Sequence, residues 1–194
     1  MQLSYPVITD RLVIRPLTIN DLARHHAVFS NPVVVRFLYE EPCDLPRAQE
    51  HLVRRCKVDL PEEGEWLTLG VGVRDDGPLI GEVALTLLSV VNRQCEIGYV
   101  FDPAYSGCGY ATEAAALMVE VAFSVLNAHR VSARLDARNE GSRRLLGRLG
   151  MRQEGHFIEN EFVKGEWTDE SIYAILEDEW RERRGPCEPF VLRA

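Results

Sequence analysis

Hydrophobic periodicity divides the chain into a first part with one strand and several helices, and a later part rich in strands. Positions 11–17 alternate between charged and apolar residues, and Pro16 limits the run, which predicts an edge-like strand. Asn20-Asp21 supplies a cap for a helix through position 30, and Pro32 restarts the chain at a tolerated first-turn position. A further helical stretch is predicted at 47–58.

The pattern changes at Trp66, where strands begin to dominate. Alternate apolar positions predict a strand from Trp66 to Val73, and a turn at 75–78 leads into a returning strand. The later predicted elements are strands at 79–88, 94–101 and 130–137, helices at 112–126, 142–148 and 177–184, and two strands that flank Lys164-Gly165. This order predicts a mixed α/β (α+β) fold, with a central sheet of about seven strands flanked by helices. We expect a single domain over residues 1–194.

Composition and charge exclude several classes of protein. The 194 residues are 46% hydrophobic and 27% charged, which argues against disorder or low complexity. The net charge of −8 argues against a general nucleic-acid binder, which would normally be basic. No apolar stretch approaches the roughly 20 residues of a membrane span, and the first residues lack the apolar core of a signal peptide. We therefore expect neither a nucleic-acid nor a membrane partner.

The cysteines and histidines show no metal-binding pattern. The five cysteines are scattered, without a Cys-x-x-Cys pair, so neither a disulfide framework nor a zinc site is indicated. A reducing cytoplasm is the expected location. The histidines lack ligand spacing and are expected at the surface or at helix ends: His25, His26, His51, His129 and His156.

A glycine-rich loop between a strand and a helix carries the clearest chemical signal. The predicted strand ends at Phe101, Gly107 and Gly109 permit close backbone approach, and a helix follows at once. The unpaired amides and positive dipole end of that helix favour a phosphate or pyrophosphate group. A Rossmann fingerprint fails because its third glycine position falls on Thr112, and no Gly-Lys-Ser/Thr of a P-loop is present.

This loop resembles the acetyl-CoA pyrophosphate loop of the GNAT acyltransferases, whose pattern is Gln/Arg-x-x-Gly-x-Gly/Ala. Gly109 and Ala111 match the pattern, whereas Ser106 stands where Gln or Arg is usual. Because backbone amides hold the phosphate, we expect the site to survive that departure. The resemblance implies acetyl-CoA as co-substrate, with no metal, bound by Ser106, Gly107, Cys108, Gly109, Tyr110, Ala111 and Thr112.

The resemblance is closer to one branch, the RimJ/RimL-like N-acetyltransferases, and covers almost the whole chain. The segments that carry it are 9–17, 96–99, 109–114, 139–142, 149–151 and the last hairpin and tail. It implies direct transfer of an acetyl group from the thioester to a primary amine, with general acid and base help. It also implies that the pantetheine arm lies along the strand near Val100 and Phe101 and contacts Asn139.

The acid and the base follow from the same resemblance. Many members protonate the thiolate with a tyrosine, but Leu146 occupies that position here, and the branch assigns the role to the serine that matches Ser142. Ser142 is equally suited to capping its helix. The branch assigns the base to the glutamate that matches Glu161. Glu96 is the second candidate because alternation places it on the face of Gly98 and Val100. For an arbitrary glutamate, a solvated surface position is the commoner role.

Several alternatives stay open at this point. Arg144, together with Arg143, lies beside the proposed site and could meet CoA phosphates, although most charges in this region are those of solvated faces. The acceptor is a protein N-terminal α-amine or a small-molecule amine, because a fold and a cofactor loop do not define it. Succinyl-CoA as donor and a non-catalytic acyl-CoA-binding module are the alternatives. A homodimer is expected from family habit.

Overall fold

The computed structural model describes residues 3–56, 59–75 and 77–184 and forms one sheet with helices on both faces. Its strands are β1 Val7–Ile8, β2 Leu12–Pro16, β3 Trp66–Val73, β4 Leu79–Ser89, β5 Gln94–Phe101, β6 Arg130–Asp136, β7 Arg152–Val163 and β8 Glu166–Leu176. Its helices are α1 Leu22–Phe29, α2 Pro32–Val35, α3 Leu45–Arg55, α4 Tyr110–Ser124, α5 Glu140–Leu149 and α6 Glu177–Arg184.

The strands follow the order β1-β2-β3-β4-β5-β6-β8-β7 across the sheet. Neighbouring strands are antiparallel except β5 and β6, which are parallel. The predicted mixed α/β fold is confirmed, and each predicted strand and helix is present with its ends moved by a few residues. The sheet has eight strands rather than about seven, because the two-residue β1 pairs with β2 through Val7 opposite Ile14.

Helix ends explain most of the differences from the predicted bounds. Helix α3 begins two residues earlier than predicted because Asp44 caps it, accepting a hydrogen bond from the backbone N–H of Arg47 at 3.0 Å. The described part of this helix ends at Arg55, and positions 57–58 of the prediction lie outside the described residues. Helix α5 likewise begins at Glu140, directly after Asn139.

Two apolar layers cover the two faces of the sheet. Helix α4 packs on β4 and β5 and forms the main core, with Leu117, Met118 and Ala122 fully buried. Helices α1 and α3 pack on the opposite face, where Val28, Phe29 and Ala48 form a smaller core with Val35 and Cys43. Both cores lie beside β5, so this strand lies between the two helical layers.

Strands β5 and β6 pair over only three residues and then separate. The last pair in their register is Glu96 opposite Ser132. Beyond it, β5 stays paired with β4 as far as Phe101, and β6 stays paired with β8 as far as Asp136. The two strands therefore diverge, and from Ile97 onward one edge of β5 has no neighbouring strand among the described residues.

Candidate active site

A cavity of about 540 Å³ opens where β5 and β6 diverge, on the side of α1 and α3. Alternation along β5 turns Glu96, Gly98 and Val100 to the cavity. Two small residues that pair across β4 and β5, Ala84 and Gly98, lie in the floor of the cavity and leave room above the sheet. Of the predicted site residues, Glu96, Val100, Asn139 and Ser142 line this one cavity.

Asn139, and not Ser142, caps helix α5. The Asn139 Oδ1 atom accepts a hydrogen bond from the backbone N–H of Ser142 at 3.0 Å. Ser142 is therefore the third residue of the helix, and its hydroxyl is not used as the cap. This removes the capping alternative and leaves the hydroxyl available at the cavity wall.

The Ser142 hydroxyl interacts with a phenol that the sequence reasoning missed. Burial raises the pKa of Tyr99 to about 12, and a hydrogen bond with the Ser142 side chain opposes that rise. Tyr99 lies on β5 and lines the same cavity. Its position next to Val100, which the resemblance places on the pantetheine path, is the signal that could have found it. The phenol stays protonated at neutral pH and can donate a hydrogen bond.

Leu146 occupies the position at which a catalytic tyrosine is usual, and it is fully buried in the main core. An apolar side chain without contact to the cavity cannot protonate a thiolate. Within the described residues, the hydroxyl groups of Ser142 and Tyr99 are the proton donors on the helix α5 side of the cavity.

The two predicted bases occupy different places. Glu96 is buried, lines the cavity and accepts a hydrogen bond from Arg134 Nε at 3.1 Å. Burial raises the pKa of the Glu96 carboxyl, Arg134 opposes that rise, and the charge of Glu170 adds to it. Glu161 lies on β7 opposite Thr168 and is not among the described residues that line the cavity.

The glycine-rich loop adopts the conformation that the sequence predicts. Gly107 and Gly109 have φ angles of 80° and 81°, in the left-handed region, and α4 begins at the next residue, Tyr110. The first backbone N–H groups of α4 have no partner within the helix, as at the start of any helix. The arrangement suits a phosphate or pyrophosphate group.

Arg11, directly before strand β2, holds this loop in place, and the sequence reasoning did not single it out. Arg11 Nη1 donates to the Cys108 carbonyl oxygen at 2.9 Å, and Nε donates to Glu113 Oε2 at 2.8 Å. The guanidinium also lies 5.0 Å from the centre of the Tyr110 ring. The arginine thus connects the loop to the first turn of α4, and its only sequence signal is a charged position in an edge-like strand.

Arg144, the remaining predicted residue, lies on the outer surface of α5. Its Nη1 atom is 3.9 Å from Glu140 Oε2, and Arg143 is bound more closely to the same carboxylate. Arg144 does not line the cavity among the described residues. Its predicted contact with CoA phosphates stays a prediction.

The expectation that the histidines lie at the surface is wrong for His25. Its side chain is fully buried, and its two ring nitrogens contact Glu82 and His51. Over residues 3–56, 59–75 and 77–184, no group of three His, Cys, Asp or Glu side chains is placed to hold a metal ion. In the same residues, no helix has the length and apolar character to cross a membrane.

Comparison with known proteins agrees with this geometry. The model of the GNAT acetyltransferase domain matches residues 11–152. An uncharacterised N-acetyltransferase of Bacillus subtilis, YnaD, is 34% identical over 90% of this chain and 98% of its own. The spermidine N(1)-acetyltransferase of Escherichia coli K12 is 28% identical over 86% of this chain and 87% of its own.

Solved structures show the same architecture. The crystal structure of a GNAT-family acetyltransferase from Bacillus anthracis superposes with a TM-score of 0.80 and 28% identity, over 89% of this chain and 99% of that one. The family model spans the phosphate loop, the diverging strands and the first turn of α5 in a single match. The chain therefore belongs to the GNAT family of N-acetyltransferases.

Proposed function

We propose that the protein transfers an acetyl group directly from acetyl-CoA to a primary amine. The observation that carries this proposal is the open edge of β5, which runs from the cavity toward the glycine-rich loop at the start of α4. A single extended molecule with a phosphate at one end and a reactive group at the other fits this path. A thioester on a pantetheine arm has that form.

The donor side of the site consists of backbone groups and hydroxyls. The unpaired edge at Val100 and Phe101 can hydrogen-bond the amides of the pantetheine arm, as a neighbouring strand would. The amides of residues 106–112 would hold the pyrophosphate, with Arg11 fixing the loop from behind. Bound acetyl-CoA supplies an activated acyl group. In this proposal Ser142, which lines the cavity together with Tyr99, would protonate the departing thiolate.

The acceptor side is the part of the same cavity that surrounds Glu96. Glu96 and its partner Arg134 line it, and a carboxyl whose pKa is raised is better suited to accept a proton than an ordinary one. The reaction must remove one proton from the acceptor ammonium before its nitrogen attacks the thioester. No covalent acyl-enzyme is needed, because the amine itself is the nucleophile.

The finer parts of the proposal concern the acceptor and the setting of the enzyme. A protein N-terminal α-amine, as in the RimJ/RimL-like branch, and a small polyamine, as the name of the Escherichia coli relative suggests, are the two acceptor classes. We propose a cytoplasmic enzyme that pairs as a homodimer. Phe162 and Trp167, on the hairpin formed by β7 and β8, expose apolar side chains that a second copy of the chain could cover, which supports the dimer.

Thermal unfolding with acetyl-CoA, succinyl-CoA and free CoA tests the donor site first. A ligand that binds only the folded state adds roughly 2.7 kcal/mol at a hundredfold excess over its dissociation constant. Acetyl-CoA should give a clear upward shift of the melting temperature. A larger shift with succinyl-CoA than with acetyl-CoA would identify succinyl-CoA as the donor. No shift with any of the three ligands at millimolar concentration would overturn the proposal.

Turnover separates an enzyme from a binding module. Thiol release from acetyl-CoA is measured with spermidine and with a short peptide that has a free N-terminus. The Ser142→Ala variant should lose most turnover and keep the acetyl-CoA melting shift. Ser124→Ala is the matched control, because Ser124 lies at the far end of α4, where its hydroxyl donates to the backbone carbonyl oxygen of Glu120. A melting shift without turnover on any amine would favour the non-catalytic module.

A further inference from the structure

The carboxylates that line the cavity are paired with cationic side chains of the protein itself. Arg55 Nη1 donates to Glu82 Oε2 at 2.7 Å, and His25 contacts the other oxygen of Glu82. Both oxygens of Asp136 accept hydrogen bonds from Arg138, at 3.0 Å from Nε and 2.7 Å from Nη2. An ammonium group of a substrate would therefore have to compete with an arginine for either carboxylate.

Glu40, at the partly exposed rim of the cavity, is surrounded by nitrogen atoms of the protein. Its Oε1 atom lies 3.3 Å from His51 Nε2 and 3.7 Å from Arg55 Nη2. Arg54, the neighbour of Arg55 on α3, also lines the cavity and adds a second guanidinium group. Like charges repel, so this rim disfavours a substrate that carries several ammonium groups.

Glu96 is the buried carboxylate that keeps one oxygen for a ligand. Its side chain lines the cavity, and Arg134 Nε donates to its Oε2 atom at 3.1 Å. Among residues 3–56, 59–75 and 77–184, no group donates a hydrogen bond to Glu96 Oε1. The interior of the cavity thus offers one position for one ammonium group.

The floor beside Glu96 suits a flat apolar group. Gly98 is two residues farther along β5, about 6.6 Å away. A Cβ atom on Gly98 would lie 3.7 Å from Trp66 Cζ3 and 3.9 Å from the Cβ atom of Ala84. The edge of the indole therefore reaches the space above Gly98, although Trp66 lies on β3, two strands away. Trp66 is 43% exposed, so much of its surface is free to contact a ligand.

Another wall of the cavity comes from the segment between α2 and α3. Phe37, Leu38 and Tyr39 line it with apolar surface. The Tyr39 hydroxyl donates to Glu170 Oε1 at 2.8 Å, so its polar atom is already bonded and its ring is what remains for a ligand. Pockets with mostly apolar walls and a few polar groups bind ligands with an apolar body, and the polar groups fix their orientation.

We propose that the acceptor is a monoamine, with its single ammonium group at Glu96 Oε1 and an aromatic or similarly flat apolar body packed against Trp66. This inference deepens the proposed acetyl transfer and rests on it. A short chain joins the ring to the amine, because Glu96 and Gly98 are only two residues apart. A free arylalkylamine and the N-terminus of a peptide whose first residue is aromatic share this chemistry.

The products of the transfer distinguish a monoamine from a polyamine. One ammonium proton goes to Glu96, the nitrogen bonds to the acetyl carbon, and the C–S bond breaks with its electron pair on sulfur. A second N–H proton ends on that sulfur, and the third stays in the amide. The acetylated group of a monoamine is neutral, whereas an acetylated polyamine keeps charged groups. Burying those charges without a free carboxylate is costly.

Saturation-transfer NMR with 2-phenylethylamine tests the binding mode without turnover. With free CoA present, the wild type should transfer saturation to the aromatic protons, and Trp66→Ala should abolish the transfer. Trp167→Ala is the matched control, because Trp167 is an exposed tryptophan that does not line the cavity. Equal transfer in the wild type and Trp66→Ala, or displacement of the amine by equimolar spermidine, would overturn the inference.

Thiol release from acetyl-CoA tests the acceptor preference. The kcat/KM values of 2-phenylethylamine or of the peptide Phe-Ala-Ala should exceed those of spermidine and Ala-Ala-Ala by about tenfold or more. Turnover of the free amine alone indicates a small-molecule acceptor, and turnover of the peptide alone indicates a protein N-terminus; either supports the inference. A higher kcat/KM for spermidine than for both aromatic amines would contradict it.

Two substitutions at Trp66 separate a contact with the acceptor from a structural role. Trp66→Ala should raise the KM of the aromatic acceptor by about tenfold, with kcat and the acetyl-CoA melting shift nearly unchanged. Trp66→Phe keeps a flat ring and should retain most of the preference. If the wild type acetylates none of the four amines, the proposed function fails, and the NMR result still decides whether the cavity binds an apolar monoamine.

Discussion

Replacement of Gly109 by alanine tests the conformation on which the phosphate loop depends. Its φ of 81° is a conformation that costs an L-residue about 1–2 kcal/mol. A Cβ atom would lie 3.5 Å from Arg11 Nη2, an ordinary contact that adds no steric clash. The expected loss of stability is therefore the backbone strain alone. At roughly 2–4 °C per kcal/mol for a domain of this size, the free protein should melt about 2–8 °C lower.

Gly107→Ala is the control, because it introduces the same backbone strain in the same loop, two residues farther from the start of α4. Gly107 has a φ of 80°, with no atom within 4 Å of an added Cβ, so its loss of stability should be similar. Gly109 directly precedes α4 and sets the direction of the first free amides. Differential scanning fluorimetry with and without acetyl-CoA should therefore show a smaller ligand shift for Gly109→Ala than for Gly107→Ala.

Two results would refute this reasoning. An unchanged melting temperature for both free variants would mean that neither glycine needs a positive φ. An equal acetyl-CoA shift in the wild type and both variants would mean that the amides after Gly109 do not hold the donor. A tenfold weaker dissociation constant for Gly109→Ala corresponds to about 1.4 kcal/mol, which the shift resolves.

Three further predictions follow from packing and charge. Leu146→Tyr, which restores the usual tyrosine, should destabilise the protein by about 1–3 kcal/mol through overpacking and should not raise kcat, as urea unfolding and thiol release would show. Folding raises the pKa of Glu96, so the protonated carboxyl stabilises the folded protein at low pH and that contribution is lost as pH rises through the folded-state pKa. The neutral side chain of Glu96→Gln resembles the protonated carboxyl. This variant should therefore have a higher melting temperature than the wild type at pH 8 and the same melting temperature at pH 4. Trp180→Phe removes the indole donor to Glu120 Oε2 at 2.9 Å and should cost about 0.5–1.5 kcal/mol in urea unfolding.

The elements that the sequence predicts well are those whose pattern is local and long. Alternation over eight residues defines β5, and apolar residues at three- and four-residue spacing define α4. The two residues of β1 are too few to show a period, so only their pairing with β2 reveals them. The divergence of β5 from β6 depends on how the two strands pair, and helix α4 separates them in sequence. No local sequence pattern predicts where their pairing ends.

The same distinction applies to the site. The phosphate loop and the Asn139–Ser142 pair lie within short segments, so a motif can identify them. The Arg11 contact with Cys108 joins residues 97 positions apart, and the His25 contact with Glu82 joins residues 57 positions apart. When the partner is so distant in sequence, a buried histidine cannot be told from a surface histidine by its neighbours along the chain. Only the folded structure shows that His25 is buried.

The open edge of β5 makes the free enzyme an incomplete sheet. From Ile97 to Phe101, that edge pairs with no strand among the described residues, so its unpaired amide hydrogens should exchange faster than those bonded to β4. A pantetheine arm bound there becomes part of the wall of the acceptor cavity, so the acceptor meets a finished site only after the donor has arrived. Catalysis should then follow a compulsory order, donor first, and free CoA left on the edge should inhibit by competing with the next donor.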